Sequence, residues 1–263
     1  MTSPIGILDS GLGGLSVFNE VTKLMPEESV IYFGDSAWCP YGARKADEIQ
    51  RRVFAVTDFL LEKGCKIIII ACNSATISAV EALRASYPIP FVGMEPGIKP
   101  AAALTKSGTV GIFATEASLA GEKFHKLLST HGAGLRTITR PCPSFVELVE
   151  AGNLEGPEAL EAVKKETLPL TEAGADVLVL GCTHYPFLRP LIQRVAGEGV
   201  QILDTGAAVA RRAQSLLEEK SSIDSQPKHQ IITTGSLERL KKLFPTLCQD
   251  IPLGHISFSH STI

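Results

Sequence analysis

The sequence predicts an α/β fold with mainly parallel sheets, built as two related halves, and three observations carry that prediction. Strand-like apolar runs alternate with helical patterns almost throughout the chain, which is the βα repetition of parallel sheets. Two distant stretches share one template: Leu60-Leu61-Glu62-Lys63-Gly64, an apolar run, then Cys72-Asn73-Ser74-Ala75-Thr76; and Leu170-Thr171-Glu172-Ala173-Gly174, an apolar run, then Cys182-Thr183-His184-Tyr185-Pro186. Leu, Glu, Gly and Cys each recur in it at an offset of 110. A second echo sets Ile5-Gly6-Ile7-Leu8 before Asp9-Ser10 against Val110-Gly111-Ile112-Phe113 before Ala114-Thr115, at an offset of 105.

In order along the chain, strands are predicted near 4–9 and 29–34, the second closing on Gly34-Asp35-Ser36. A helix over 45–63 stops at Gly64, and the run over 66–71 that follows is continuously apolar, as in a strand buried on both faces. A helix over 73–86 and strands near 89–93 and 108–113 come next, then a helix over 118–130 and a strand near 134–139. Pro143 to Glu150 reads as a short amphipathic helix. The second template supplies a helix over 157–172 and a strand near 176–180; a strand near 200–203, a helix over 205–219 and a strand near 229–233 complete the pattern. Ser221 to Pro227 is the most loop-like stretch, a surface connection.

Composition bounds the function. With 263 residues, 44% hydrophobic and 20% charged, the chain has the make-up of a folded protein with a substantial core. A net charge of −3 provides no basic field for nucleic acid. No apolar run approaches a membrane span and the chain opens without a signal peptide, so a cytoplasmic protein is expected. Six cysteines without a C-x-x-C pair are too sparse for a disulfide scaffold and lack metal-ligand spacing, so no metal is expected.

Each template ends in a Cys at the carboxyl end of a parallel strand, where open α/β sheets bind ligands. A single buried Cys is usually a small hydrophobe. Here the position recurs, followed each time by hydrogen-bonding residues, and a helix N-terminus behind a thiol favours the thiolate. Two equivalent thiols point to a pseudo-symmetric site. A redox disulfide between Cys72 and Cys182 remains an alternative on sequence alone. Asp9-Ser10-Gly11-Leu12-Gly13-Gly14 fails the dinucleotide spacing because Ser16 stands where the last Gly belongs. It is either a tight turn, with Asp9 as a cap, or a loop whose N–H groups hold a small carboxylate. Asp35, Pro40 and Gly42 read as turn chemistry, with Asp35 capping the next helix, or else Ser36 and Tyr41 surround a ligand. Glu147 and Glu150 lie on the short helix, where exposed Glu usually only solvates. His184 beside Cys182 can tune the thiol's protonation.

These residues resemble the glutamate racemase family over nearly the whole chain. The likeness runs through Ile7 to Gly14, Gly34-Asp35 with Pro40-Tyr41-Gly42, Ala71 to Thr76, Glu95-Pro96-Gly97, Pro143 to Glu150, and Gly181 to Pro186. Departures are mild: Ser74 replaces a commoner Thr, Glu147 a common Pro, Lys45 a frequent Ser, and Ala114 to Gly121 differs in wording. The resemblance implies two α/β domains facing each other across a cleft, residues 1–95 with 207–263 and residues 96–206, the first closed by the returning C-terminal segment. It implies cofactor-independent racemisation of glutamate, supplying D-glutamate for peptidoglycan, in a homodimer. It makes Cys72 and Cys182 the two bases, Asp9 the aid to Cys72, and Glu150 with His184 the aid to Cys182. Ser10, Tyr41, Gly42, Asn73, Ser74, Thr183 and His184 match positions that hold the amino acid, to which Asp9, Ser36 and Thr76 are added here. An aspartate racemase of the same superfamily is the nearest alternative, but those enzymes tend to have His at the place of Thr76 and Glu at the place of His184. A non-catalytic amino-acid binder would give no reason for matched cysteines, and a dithiol redox protein none for the polar residues beside them.

Overall fold

The computed structural model describes residues 3–217 and 227–263. The chain forms two compact units, Met1–Met94 with Gly206–Ile263, and Glu95–Thr205. The first opens with β1 (Ile5–Asp9), α1 (Leu15–Leu24), β2 (Val30–Gly34), α2 (Ala46–Glu62), β3 (Ile67–Ile70), α3 (Asn73–Ser86) and β4 (Phe91–Gly93). The second unit contains α4 (Ile98–Leu104), β5 (Thr109–Ala114), α5 (Glu116–Ala120), α6 (Glu122–His131), β6 (Arg136–Pro141), α7 (Pro143–Ala151), α8 (Pro157–Glu172), β7 (Val177–Gly181), α9 (Arg189–Ala196) and β8 (Gln201–Leu203). The chain then returns to the first unit as α10 (Gly206–Leu216), β9 (His229–Thr233), α11 (Leu237–Leu247) and β10 (Ile256–His260).

Every strand pairing is parallel. The first sheet runs β10-β9-β2-β1-β3-β4 and the second β6-β5-β7-β8. The order β2-β1-β3-β4 is the order β6-β5-β7-β8 element for element, so the duplication heard in the sequence is a duplication of topology. In each sheet the first strand of the motif, β1 or β5, lies between its two successors, which creates the switch point where such sheets take ligands beyond their carboxyl ends. Helices cover both faces of the central strands, so β1, β3, β5 and β7 are buried at every position, which is why they read as unbroken apolar runs.

The two templates end their helices in the same way. Gly64 and Gly174 both take the left-handed backbone, at φ +79° and +91°. The next N–H reaches back in each, Cys65 to the Leu60 carbonyl and Ala175 to the Leu170 carbonyl, which satisfies carbonyls that α2 and α8 would leave bare.

All nine predicted strands form, and a tenth, β10, was not anticipated. It is a short edge strand of mixed exposure, Ile256-Ser257-Phe258-Ser259-His260, beside β9. The strand expected near 134–139 is displaced to Arg136–Pro141 because Gly134 turns the chain at φ +82°. The helix expected over 118–130 is two helices broken at Gly121, whose ψ of 138° is extended, and the first is capped by Thr115, whose hydroxyl accepts from the Ser118 N–H. The helix expected over 205–219 ends at Leu216, and its predicted residues 218–219, with the Ser221 to Gln226 part of the expected loop, lie outside the described residues. Among the described residues no helix is long and apolar enough to cross a membrane.

Candidate active site

In the first unit the switch point brings Asp9, Ser10 and Cys72 together. Asp9 ends β1 and Cys72 follows β3 as the residue just before α3. Cys72 is 6% exposed and its thiol donates to the Ser10 hydroxyl at 3.8 Å. The Asp9 carboxylate, 1% exposed, accepts the Gly11 N–H at 3.0 Å. Asp9 is therefore not the helix cap, since α1 starts behind Gly14 without a side-chain cap; the Asp9 carboxylate closes the tight turn at Gly11. Gly14 is small for this reason: a Cβ there would stand 2.5 Å from the Asp9 Cβ. Asn73 and Ser74 begin α3, both buried. Both polar atoms of the Asn73 amide lack a partner within the described protein, a costly state for buried groups unless a ligand satisfies them.

In the second unit Cys182 follows β7, 8% exposed, with Thr183 and His184 buried beside it. Its sulfur lies 3.6 Å from His184 Nδ1, and His184 Nε2 lies 2.8 Å from Glu150 Oε1. An ionised carboxylate only accepts, so Nε2 carries the hydrogen and Nδ1 faces the sulfur. That is a thiol–imidazole–carboxylate relay. Glu150 reaches it from the last turn of α7, while Glu147 on the same helix is exposed. The expectation of a helix N-terminus behind each thiol holds for Cys72 alone. Cys182 is followed by a 3-10 turn, Tyr185–Leu188, and α9 starts only at Arg189. The Tyr185 hydroxyl bridges the Ala114 and Cys142 carbonyls at 3.2 and 3.1 Å, fastening the ends of β5 and β6 beside the thiol.

Three other thiols, Cys65, Cys142 and Cys248, are buried and held protonated. Burial pushes Cys65 up to about 12 and raises Cys142 and Cys248 further, Cys142 also through Glu166. Thr76 differs from the other candidate binding residues. It is fully buried, donates to the Ile70 carbonyl at 3.1 Å and accepts the Met94 N–H at 2.9 Å, so its hydroxyl serves to join β3 to the end of β4.

Ser36, Tyr41 and Gly42 lie on the connection from β2 to α2. Asp35 is not the cap that turn chemistry suggested. It is fully buried, and its carboxylate accepts the Tyr41 hydroxyl at 2.6 Å, Arg52 Nε and Nη2 at 2.6 and 2.7 Å, and the Thr234 hydroxyl at 2.7 Å. Burial and the neighbouring Asp35 charge raise the Tyr41 phenol, so it stays neutral and donates. Its ring shares one apolar cluster with Cys72, Phe33 and Ile70. Arg52 and Thr234 escaped the sequence reading. Arg52 adjoins Val53 on the buried side of α2, and the single signal for it was a cation at the edge of an apolar stripe.

Comparison with known proteins agrees with this arrangement. A glutamate racemase of Herpetosiphon aurantiacus is 49% identical over 237 residues, 90% of this chain and 91% of its own. The Escherichia coli glutamate racemase, solved with L-glutamate and the activator UDP-MurNAc-ala, superposes with a TM-score of 0.87 at 32% identity over 98% of each chain. The Francisella tularensis glutamate racemase, solved with D-glutamate, does so with a TM-score of 0.82 at 27% identity over 97% of each. The model of the Asp/Glu/Hydantoin racemase family matches residues 7–213, and with these relatives matched over most of their length the chain belongs to that family.

Proposed function

We propose that this enzyme interconverts L- and D-glutamate without a cofactor, using Cys72 and Cys182 as bases on opposite faces of the α-carbon. The substrate follows from relatives that are glutamate racemases and that hold L- or D-glutamate. The observation that carries the mechanism is the recurrence: each unit presents a buried thiol just past the same strand of the same motif, with an acid near it, Asp9 in one and Glu150 through His184 in the other.

From L-glutamate the Cys182 thiolate takes the α-proton, and the C–H electron pair remains on the α-carbon, delocalised into the carboxylate. The Cys72 thiol delivers its proton to the other face, which leaves Cys182 as thiol and Cys72 as thiolate, set for D-glutamate. Holding the α-carbon between two thiols supplies orientation. Donors such as Asn73, Ser74 and Thr183 meet the charge that develops on the carboxylate. The binding set in this proposal is Ser10, Ser36, Tyr41, Gly42, Asn73, Ser74, Thr183 and His184. Supply of D-glutamate to peptidoglycan, a cytoplasmic location and a homodimer belong to the same proposal.

Proton NMR of the separated enantiomers at low conversion in heavy water tests it. Early product carries solvent deuterium at the α-carbon while recovered substrate stays protiated, because the two faces are served by different thiols. Deuterium in recovered substrate, or protium kept in product, overturns the two-base mechanism. Aspartate turned over as well as glutamate overturns the substrate.

A further inference from the structure

The connection from β2 to α2 is held by one buried carboxylate. Asp35 receives four hydrogen bonds from three directions: Arg52 on α2, Tyr41 in the 3-10 turn Tyr41–Ala43, and Thr234 just after β9. Its own N–H donates to the Asp9 carbonyl at 2.9 Å, so the same residue braces the end of β1. Thr234 also takes the Ala37 N–H at 3.1 Å, and Trp38 N–H returns to the Asp35 carbonyl at 2.9 Å. Outside this knot lies Trp38, the chain's single tryptophan, with the Arg44 and Arg52 guanidinium carbons 4.6 and 5.3 Å from its ring centroid. The Arg44 Nε also donates to the Trp38 carbonyl at 2.7 Å.

Replacing such a buried pair with apolar residues of the same volume is often neutral or stabilising, so fold stability is a weak reason for one to exist. Geometry is the better reason. Arg52 offers a planar fork to both Asp35 oxygens, and Oδ2 accepts the phenol beside it. The phenol is thereby fixed in the apolar cluster that contains Cys72. We propose that Asp35 and Arg52 are positioning residues, which hold the loop bearing Ser36, Tyr41 and Gly42 in its substrate-binding shape before substrate arrives. This rests on the glutamate reading above, and it assigns to the pair the cost of ordering the loop, a cost that otherwise falls on binding.

The test compares Arg52→Gln, Arg52→Lys, Asp35→Asn and Tyr41→Phe with the parent, by polarimetry on both enantiomers and by acrylamide quenching of Trp38 without substrate. Arg52→Gln and Asp35→Asn are expected to raise KM for D- and L-glutamate roughly tenfold while kcat changes by no more than about threefold, the pattern of lost uniform binding. Arg52→Lys keeps the charge without the fork and falls between parent and Arg52→Gln. Trp38 quenching rises in Asp35→Asn, which leaves Arg44 and Arg52 free to cover the Trp38 ring, a signature that a pair serving only stability does not produce in a folded protein. Tyr41→Phe removes one hydroxyl and remains readable if the charge variants do not fold. Parental KM in both Tyr41→Phe and Arg52→Lys overturns the proposal, as does unchanged Trp38 quenching in folded Asp35→Asn. A parent inactive on glutamate overturns the substrate reading instead, and the quenching comparison then decides the loop's geometry by itself.

Discussion

Cys72 stands at the amino end of a fourteen-residue helix with the Ser10 hydroxyl 3.8 Å away, whereas Cys182 has the His184 imidazole 3.6 Å away and a 3-10 turn behind it. The first environment stabilises a thiolate through helix N–H groups; the second offers a group that itself carries a proton. Cys72→Ser and Cys182→Ser are each expected to lower racemisation by several powers of ten, each power being about 1.4 kcal/mol of barrier, since a hydroxyl is a much weaker base than a thiolate. Retention of activity within a few-fold in either variant removes that Cys as a base. The unequal surroundings make a finer prediction. Glu150→Gln and His184→Asn alter the proton transfers at Cys182, and Asp9→Asn those at Cys72, so substrate isotope effects measured with α-deuterated L- and D-glutamate shift differently in the two sets. Identical shifts in both sets contradict the division of roles. Asp9, Cys72, Cys182 and His184 were legible because each stands at or just past an apolar run that the eye finds first, and the two cysteines repeat at one offset. Arg52 and Thr234 were not, because a buried ion pair joins residues remote in sequence, and neither residue carries a local pattern that announces the other.

Among the elements, the helix ends at Gly64 and Gly174 yield the cleanest expectation. Nothing lies within 4 Å of a Cβ built at either position, so the cost of Gly64→Ala or Gly174→Ala is that of left-handed backbone alone, about 1–2 kcal/mol, read from urea unfolding. The strands that stand out most plainly in the sequence, β1, β3, β5 and β7 among them, are buried at every position. Those it displaced or hid, β6 and β10, are edge strands whose outer side chains face water and dilute the apolar signal. Two groups at strand starts make stability depend on acid in separate windows. Burial, with help from His255, pushes His229 at the start of β9 down from 6.5 to about 4. Asp176 before β7 is raised by burial but more than compensated by hydrogen bonds from Thr105, Ser107 and Lys106, and settles at about 2 against a usual 3.8. In each window the unfolded chain binds more protons than the folded one, so stability falls as pH falls. His229→Gln is expected to flatten the loss between pH 6.5 and 4, and Asp176→Asn the loss between pH 3.8 and 2, in melting temperatures followed across pH.

For the whole molecule, the proposed two-thiol mechanism predicts that dialysis against a chelator, or treatment with a carbonyl reagent that strips pyridoxal phosphate, leaves glutamate racemisation intact. Loss of activity that returns with added metal contradicts it. A second consequence lies in the order in which the parts are written. The unit Glu95–Thr205 is continuous, while Met1–Met94 obtains β9 and β10 only from Gly206–Ile263. On a ribosome, the first half-site therefore emerges early but matures late: until β9 arrives, β2 is a bare sheet edge, and Thr234 is not yet present to bind Asp35. The later-made thiol, Cys182, belongs to the unit that can finish first. Residues 95–205 expressed alone are expected to unfold cooperatively in urea, and residues 1–94 alone are not. Nascent chains of this enzyme thus carry an open strand edge for more than a hundred residues of synthesis, the interval in which edge pairing with a neighbour is the competing fate.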